Sequence, residues 1–170
     1  MKLLVFFLAV SFSLSCGTKR DEAEFVVPSQ YRNWKKTVDK VLDYTVPGHG
    51  STFRIIYAND ISFKPVIEKD NQGRERVIMR EGALIIKEIY KKKEDINREE
   101  PMLTIMMKNG NSRNALKNWL FIMKKPGQKP AVITGRLCIG CHESANEAHP
   151  YFDRNPGGGF RDYLFAPVAR

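Results

Sequence analysis

The chain has 170 residues, enough for one domain with a real core, and its 42% hydrophobic and 28% charged content is that of an ordinary soluble globular protein. That balance excludes a fibrous or disordered chain. The net charge of +9 is spread along the sequence and accompanies no nucleic-acid-binding motif, so nucleic acid is not an expected partner, whereas an acidic protein or an anionic membrane is.

Lys2 supplies a short positive flank, and residues 3–14 form an apolar run too short to cross a bilayer. Together they predict an export signal over residues 1–15. The run ends in Ser13-Leu14-Ser15-Cys16-Gly17, which resembles a bacterial lipobox. Cys16 is therefore the expected lipid-bearing residue, with plain signal cleavage as the alternative. Leucine stands two places before the cysteine, where the commonest pattern has three. Residues 16–24 are polar and read as a tether between a membrane anchor and a domain over residues 25–170. The expected location is the periplasm or cell envelope.

Ser29 after Pro28 offers an N-cap, and Tyr31, Trp34, Val38, Val41 and Leu42 recur at helical spacing, predicting an N-terminal helix with a basic outer face of Arg32, Lys35, Lys36 and Lys40. Pro47-Gly48-His49-Gly50 ends it, and the chain turns to strands. Runs rich in β-branched and aromatic residues fall at 51–58, 62–68, 76–79, 83–90, 102–108 and 119–124, separated by turn residues such as Asp70-Asn71-Gln72-Gly73 and Asn109-Gly110-Asn111. The charged connector 91–100 reads as a solvated loop. Short strands without long intervening helices predict an α+β domain built mainly on an antiparallel sheet.

The strand over 83–90 carries a charge on each face. Lys87 lies on the side of Ala83, Ile85 and Ile89, and Glu88 on the side of Leu84, Ile86 and Tyr90. An edge strand would explain both charges as protection against pairing. Alternatively, Lys87 points into a cofactor pocket. Arg54, in mid-strand, is a candidate partner for an anionic cofactor group, with an exposed strand face as the alternative.

Cys138-Ile139-Gly140-Cys141-His142 has the spacing of c-type haem attachment. Two thiols three residues apart reach the two vinyl groups along one haem edge, and the next imidazole turns under the ring to the iron. A zinc site would need four ligands, and adjacent Cys141 and His142 are poorly placed to share one tetrahedral ion. A thioredoxin-like pair would sit early in a βαβ unit and would not require the histidine. A purely structural cysteine pair is the remaining alternative. With Cys138 and Cys141 given to one haem c and His142 to its iron, Cys16 is the odd thiol, which acylation would explain. Export also suits haem attachment outside the cytoplasmic membrane.

Tyr31-Arg32-x-Trp34, Arg54-x-x-Tyr57-x-Asn59, Glu81-Gly82-x-x-x-x-Lys87-Glu88, Asn118-Trp119, Cys138-x-x-Cys141-His142 and Asp162-Tyr163-x-Phe165 follow one another in this order. The series resembles the cytochrome P460 family, including the relatives called cytochromes c′-beta. The resemblance implies a mainly antiparallel fold, usually dimeric, with one five-coordinate haem. It implies hydroxylamine oxidation in the P460 enzymes, or binding of nitric oxide or carbon monoxide in the c′-beta group. It also implies a haem-crosslinked lysine, for which Lys87 is the counterpart, and a distal carboxylate that moves protons, with Glu143 and Glu147 the nearest carboxylates after His142. Phe53 is the candidate for a c′-beta-like distal cap, with packing into the sheet as the alternative. Electrons would leave singly to a partner cytochrome, and a simple electron carrier is a further alternative. Of the other imidazoles, His49 lies between glycines in a turn and His149 beside Pro150, so an open or water-bound sixth position is expected.

Overall fold

A computed structural model describes residues 24–45, 50–148 and 155–165. The export signal, Cys16, the tether up to residue 23, His49 and His149 lie outside the described residues. The main sheet has the order β1-β2-β5-β6-β7-β8, formed by Lys35–Lys36, Phe53–Ala58, Leu84–Tyr90, Met102–Lys108, Trp119–Lys124 and Ala131–Val132. Every neighbouring pair is antiparallel. A separate hairpin joins β3, Val66–Lys69, to β4, Glu75–Ile78.

Alternation along the strands gives this sheet two faces with different coverings. On one face Tyr57, Ile86, Ile105 and Ile122 stand in one row across four strands, each at most 4% exposed. At roughly 1.5–3 kcal/mol for each fully buried aliphatic side chain, this row is a principal source of stability. Phe25, Val27, Trp34 and Val41 of the N-terminal segment pack over the same face. The opposite row runs Ile56, Lys87, Thr104, Met123 and Ala131. On that side Ile85, Met106, Trp119 and Phe121 form a second core with Ile139 and Leu164 of the C-terminal region.

The helix expected from Ser29 to Leu42 is not formed. Tyr31–Asn33 makes a single 3-10 turn, Trp34 is extended, and Lys35–Lys36 pairs with β2. The Thr37 N–H donates to the Ile56 carbonyl at 3.0 Å, and Leu42 exchanges two 2.9 Å backbone bonds with Arg54. β-branched Thr37, Val38 and Val41 are poor helix formers, whereas the edge of β2 offers unpaired backbone groups. Long-range pairing therefore outweighs a helical spacing of apolar residues. The strand expected at 62–68 is likewise shorter, because Asp60–Phe63 forms a 3-10 turn capped by the Asn59 side chain.

β5 lies inside the sheet, between β2 and β6, so edge protection does not explain its charges. Glu88 is wholly buried and accepts from Tyr31 Oη at 2.6 Å, Arg32 Nε at 2.6 Å and Tyr90 Oη at 2.9 Å. This carboxylate fastens the N-terminal segment onto the sheet. Its charge holds the Tyr31 phenol far above the ordinary range, after burial, which acts first and more strongly. Replacing Glu88 with Gln removes the charge from three donors and should destabilise the fold by about 2–3 kcal/mol. Urea denaturation is expected to show a lower midpoint with an unchanged slope.

Candidate functional site

Leu137–Glu143 forms α1, a short helix after β8. At this pitch Cys138 shares a face with Cys141 and His142, three and four residues on. Ile139 turns the other way and anchors the helix in the core at 2% exposure. Cys138 and Cys141 are free thiols, Cys138 partly buried and Cys141 exposed. Burial pushes the Cys138 thiol upward, against the pull of the nearby Lys87 amine.

His142 lies between the rings of Phe121, at 5.7 Å, and Phe165, at 5.3 Å. Its Nδ1 is 2.8 Å from the Tyr163 carbonyl. A carbonyl can only accept, so Nδ1 carries the hydrogen and the Nε2 lone pair is left for a metal. Burial lowers the pKa of this imidazole and Lys87 adds to the effect, which favours the neutral ligating form.

The Tyr163 carbonyl is held by a network that passes through its neighbours. Asp162 and Tyr163 both have left-handed backbones, φ 48° and 68°, within a turn closed by Leu164 N–H to the Arg161 carbonyl at 3.1 Å. Asp162 accepts from Met79 N at 2.7 Å, from Lys108 Nζ at 2.7 and 2.6 Å, and from Trp119 Nε1 at 3.1 Å. Asn146, just after α1, accepts from the Arg161 and Tyr163 backbone N–H groups. Asn155 donates to the Ala145 and Gly159 carbonyls, and Val77 N–H to that of Phe160, tying the terminal segment to both the helix and β4.

Lys87 faces α1 across the sheet surface. Burial and, after it, Arg54 lower its pKa to about 8, against the opposing pull of the Cys138 and Cys141 sulfurs. The lysine and both thiols therefore bear on one another electrostatically, across more than fifty residues of sequence. Arg54 shares the face of Lys87 on the neighbouring strand and is 3% exposed. One of its terminal nitrogens donates to the Tyr44 carbonyl and its guanidinium stacks on the Tyr44 ring at 4.7 Å, but Nε is buried with no hydrogen-bond partner among the described residues. The buried, unpartnered Nε of Arg54 is suited to an acceptor from outside the described residues.

The family described as Cytochrome P460 has a sequence model that matches residues 28–166. The chain belongs to the cytochrome P460 family. No curated protein matches it. Membership brings a haem cofactor, and the residues of this cytochrome fit one. Two thiols on one helical face, an imidazole with Nε2 available, and a buried Arg54 Nε suited to a carboxylate are the donors such a group needs. Among the described residues no three His, Cys, Asp or Glu side chains group to hold a metal ion, and α1 follows an antiparallel sheet rather than opening a βαβ unit.

Phe53 packs on the Glu88 face of the sheet, away from Lys87, so it does not cap a site beside α1. Phe121 instead meets His142, a contact that nothing in the alternation of β7 announces. Glu143 pairs with Arg136 at 3.4 Å and Glu147 is exposed. In the cytochrome P460 resemblance Asp162-Tyr163 appears only as a motif; its hold on His142 emerges from the fold.

Lys87 should leave a pH signature in the haem-free chain. Its folded pKa, about 8, lies below its ordinary 10.5, so between these values the unfolded chain holds a proton that the folded chain does not. Stability is therefore lowered in full below pH 8 and recovers as pH rises to 10.5, by an amount on the order of 2–3 kcal/mol. Denaturant unfolding of the Lys87→Met variant across this window is expected to lack the recovery. A second expectation concerns Gly159, where an added Cβ would lie 2.5 Å from the Glu75 carbonyl oxygen. Gly159→Ala should lower the melting temperature and, by hydrogen exchange, loosen residues 159–164.

Proposed function

We propose that this protein is an exported monohaem c-type cytochrome, anchored through a lipid on Cys16, and that it acts on small nitrogen compounds. The convergence of Cys138, Cys141 and the depressed amine of Lys87 on one side of the sheet carries this proposal. Each thiol adds across one vinyl group, sulfur to one carbon and hydrogen to the other, so attachment requires no oxidant. His142 would hold the iron through Nε2, its ring being fixed through Nδ1 by the Tyr163 carbonyl. Arg54 pairs with a propionate, which would satisfy its unpartnered Nε.

When bound, haem supplies an iron that takes a further ligand and exchanges electrons one at a time. The family resemblance offers hydroxylamine or nitric oxide as the ligand, another cytochrome as the electron partner and a homodimer as the assembly. Lys87, with a pKa near 8, keeps part of its amine neutral at neutral pH; for that nitrogen to bond to a porphyrin edge carbon it would displace the carbon's hydrogen, a step that requires a two-electron oxidant such as a peroxide. That bond would tune the cofactor for hydroxylamine oxidation. A second reading, a non-catalytic binder of nitric oxide or carbon monoxide, draws on the placement of Glu143 against Arg136 and of Glu147 in solvent, which leaves neither poised as a proton acceptor.

The test is the absorption spectrum of the haem-matured protein with nitric oxide and with hydroxylamine. The enzyme reading predicts a strongly red-shifted ferrous band that Lys87→Ala abolishes, together with hydroxylamine-dependent reduction of an added cytochrome. An ordinary c-type spectrum, unchanged in the variant and perturbed only by nitric oxide, would favour the binder.

A further inference from the structure

We propose that Asp162 is a positioning residue that sets the electron-donating strength of His142, with Trp119 and Lys108 tempering its charge. The inference rests on His142 being the iron ligand. Asp162 does not touch His142; it acts through the peptide that follows it, whose Tyr163 carbonyl accepts the imidazole Nδ1–H at 2.8 Å.

Three features set this arrangement apart from a simple fastening. The turn places two side-chain-bearing residues, Asp162 and Tyr163, in the left-handed region where glycine or asparagine is usual. Such a backbone persists only when its surroundings determine it, and here the carboxylate does so, gripping the Met79 N–H of one segment and the side chains of β6 and β7. The charges are also buried. Asp162 is 2% exposed, Lys108 7% and Trp119 fully covered, so water screens their fields little. A well-packed apolar contact would hold the segment as well as a buried ion pair does. Finally, the Tyr163 carbonyl takes no part in closing the turn, since that bond runs from Leu164 N–H to Arg161.

The electrostatic consequence has a sign. A carboxylate one residue from the accepting carbonyl makes the potential at the imidazole more negative, which strengthens the Nδ1–H bond and favours oxidised over reduced iron. The Lys108 ammonium and the Trp119 indole N–H draw on that negative charge and work the other way. Removing the charge should therefore raise the reduction potential, and removing a donor to it should lower the potential. A residue that only fastened the chain would give no such opposition.

Redox titration of the full-length, haem-matured protein reads this directly. Asp162→Asn is expected to shift the midpoint upward, and Trp119→Phe, which keeps an aromatic side chain but removes the indole N–H that Asp162 accepts, to shift it downward. Shifts of the same sign, or none, in proteins with the parent's haem content and spectrum would overturn the assignment of Asp162. If Asp162→Asn does not mature, Trp119→Phe decides alone, and an unchanged or raised midpoint overturns it. His142→Gly distinguishes the underlying premise: a variant that keeps the parent spectrum would remove His142 as ligand, and the role of Asp162 with it.

Discussion

Lys87 and Glu88 are neighbours on an interior strand, and opposite charges one residue apart must leave that strand on opposite faces. The two faces meet this constraint differently. Glu88 is met by two phenols and a guanidinium from within the chain, and the resulting cluster fixes the N-terminal segment. Lys87 lies beside a second cation, Arg54, and opposite the thiols of α1. One face is thereby completed by the polypeptide, whereas the other gathers two cationic side chains beside two thiols.

Much of this was legible in the sequence. The strands over 102–108 and 119–124 have the bounds expected from their composition, and those at 51–58 and 83–90 are right to within two residues. Their β-branched and aromatic content agrees with the pairing they make. The N-terminal helix failed because apolar spacing reports which residues are buried and is silent on the backbone path that buries them. Tyr31 and Leu42 are in the core, as the pattern said, but they reach it along an extended chain that completes the sheet edge.

At the candidate site, the Cys138-x-x-Cys141-His142 spacing was the clearest signal in the sequence, because it is local and strict. The supports of His142 were not legible, because they depend on where the fold brings a distant turn. Nothing about Asp162 or Asn146 taken singly distinguishes them from surface polar residues, yet both are bound to the segment that orients the imidazole. Lys87 was legible as a charge among aliphatic residues and, through the family resemblance, as the counterpart of a crosslinked lysine. That it lies inside the sheet, across from α1, required the fold.

The central claim is that the Lys87 side of the sheet and the Cys138–Cys141 helix enclose one covalently held haem. Peptide mass mapping of the haem-matured protein tests it most directly. The account predicts haem bonded through both sulfurs on the peptide that contains Cys138 and Cys141, and, in the crosslinked form, the same haem joined to the peptide that contains Lys87. Recovery of both cysteines as unmodified thiols from protein matured in the presence of haem would contradict it.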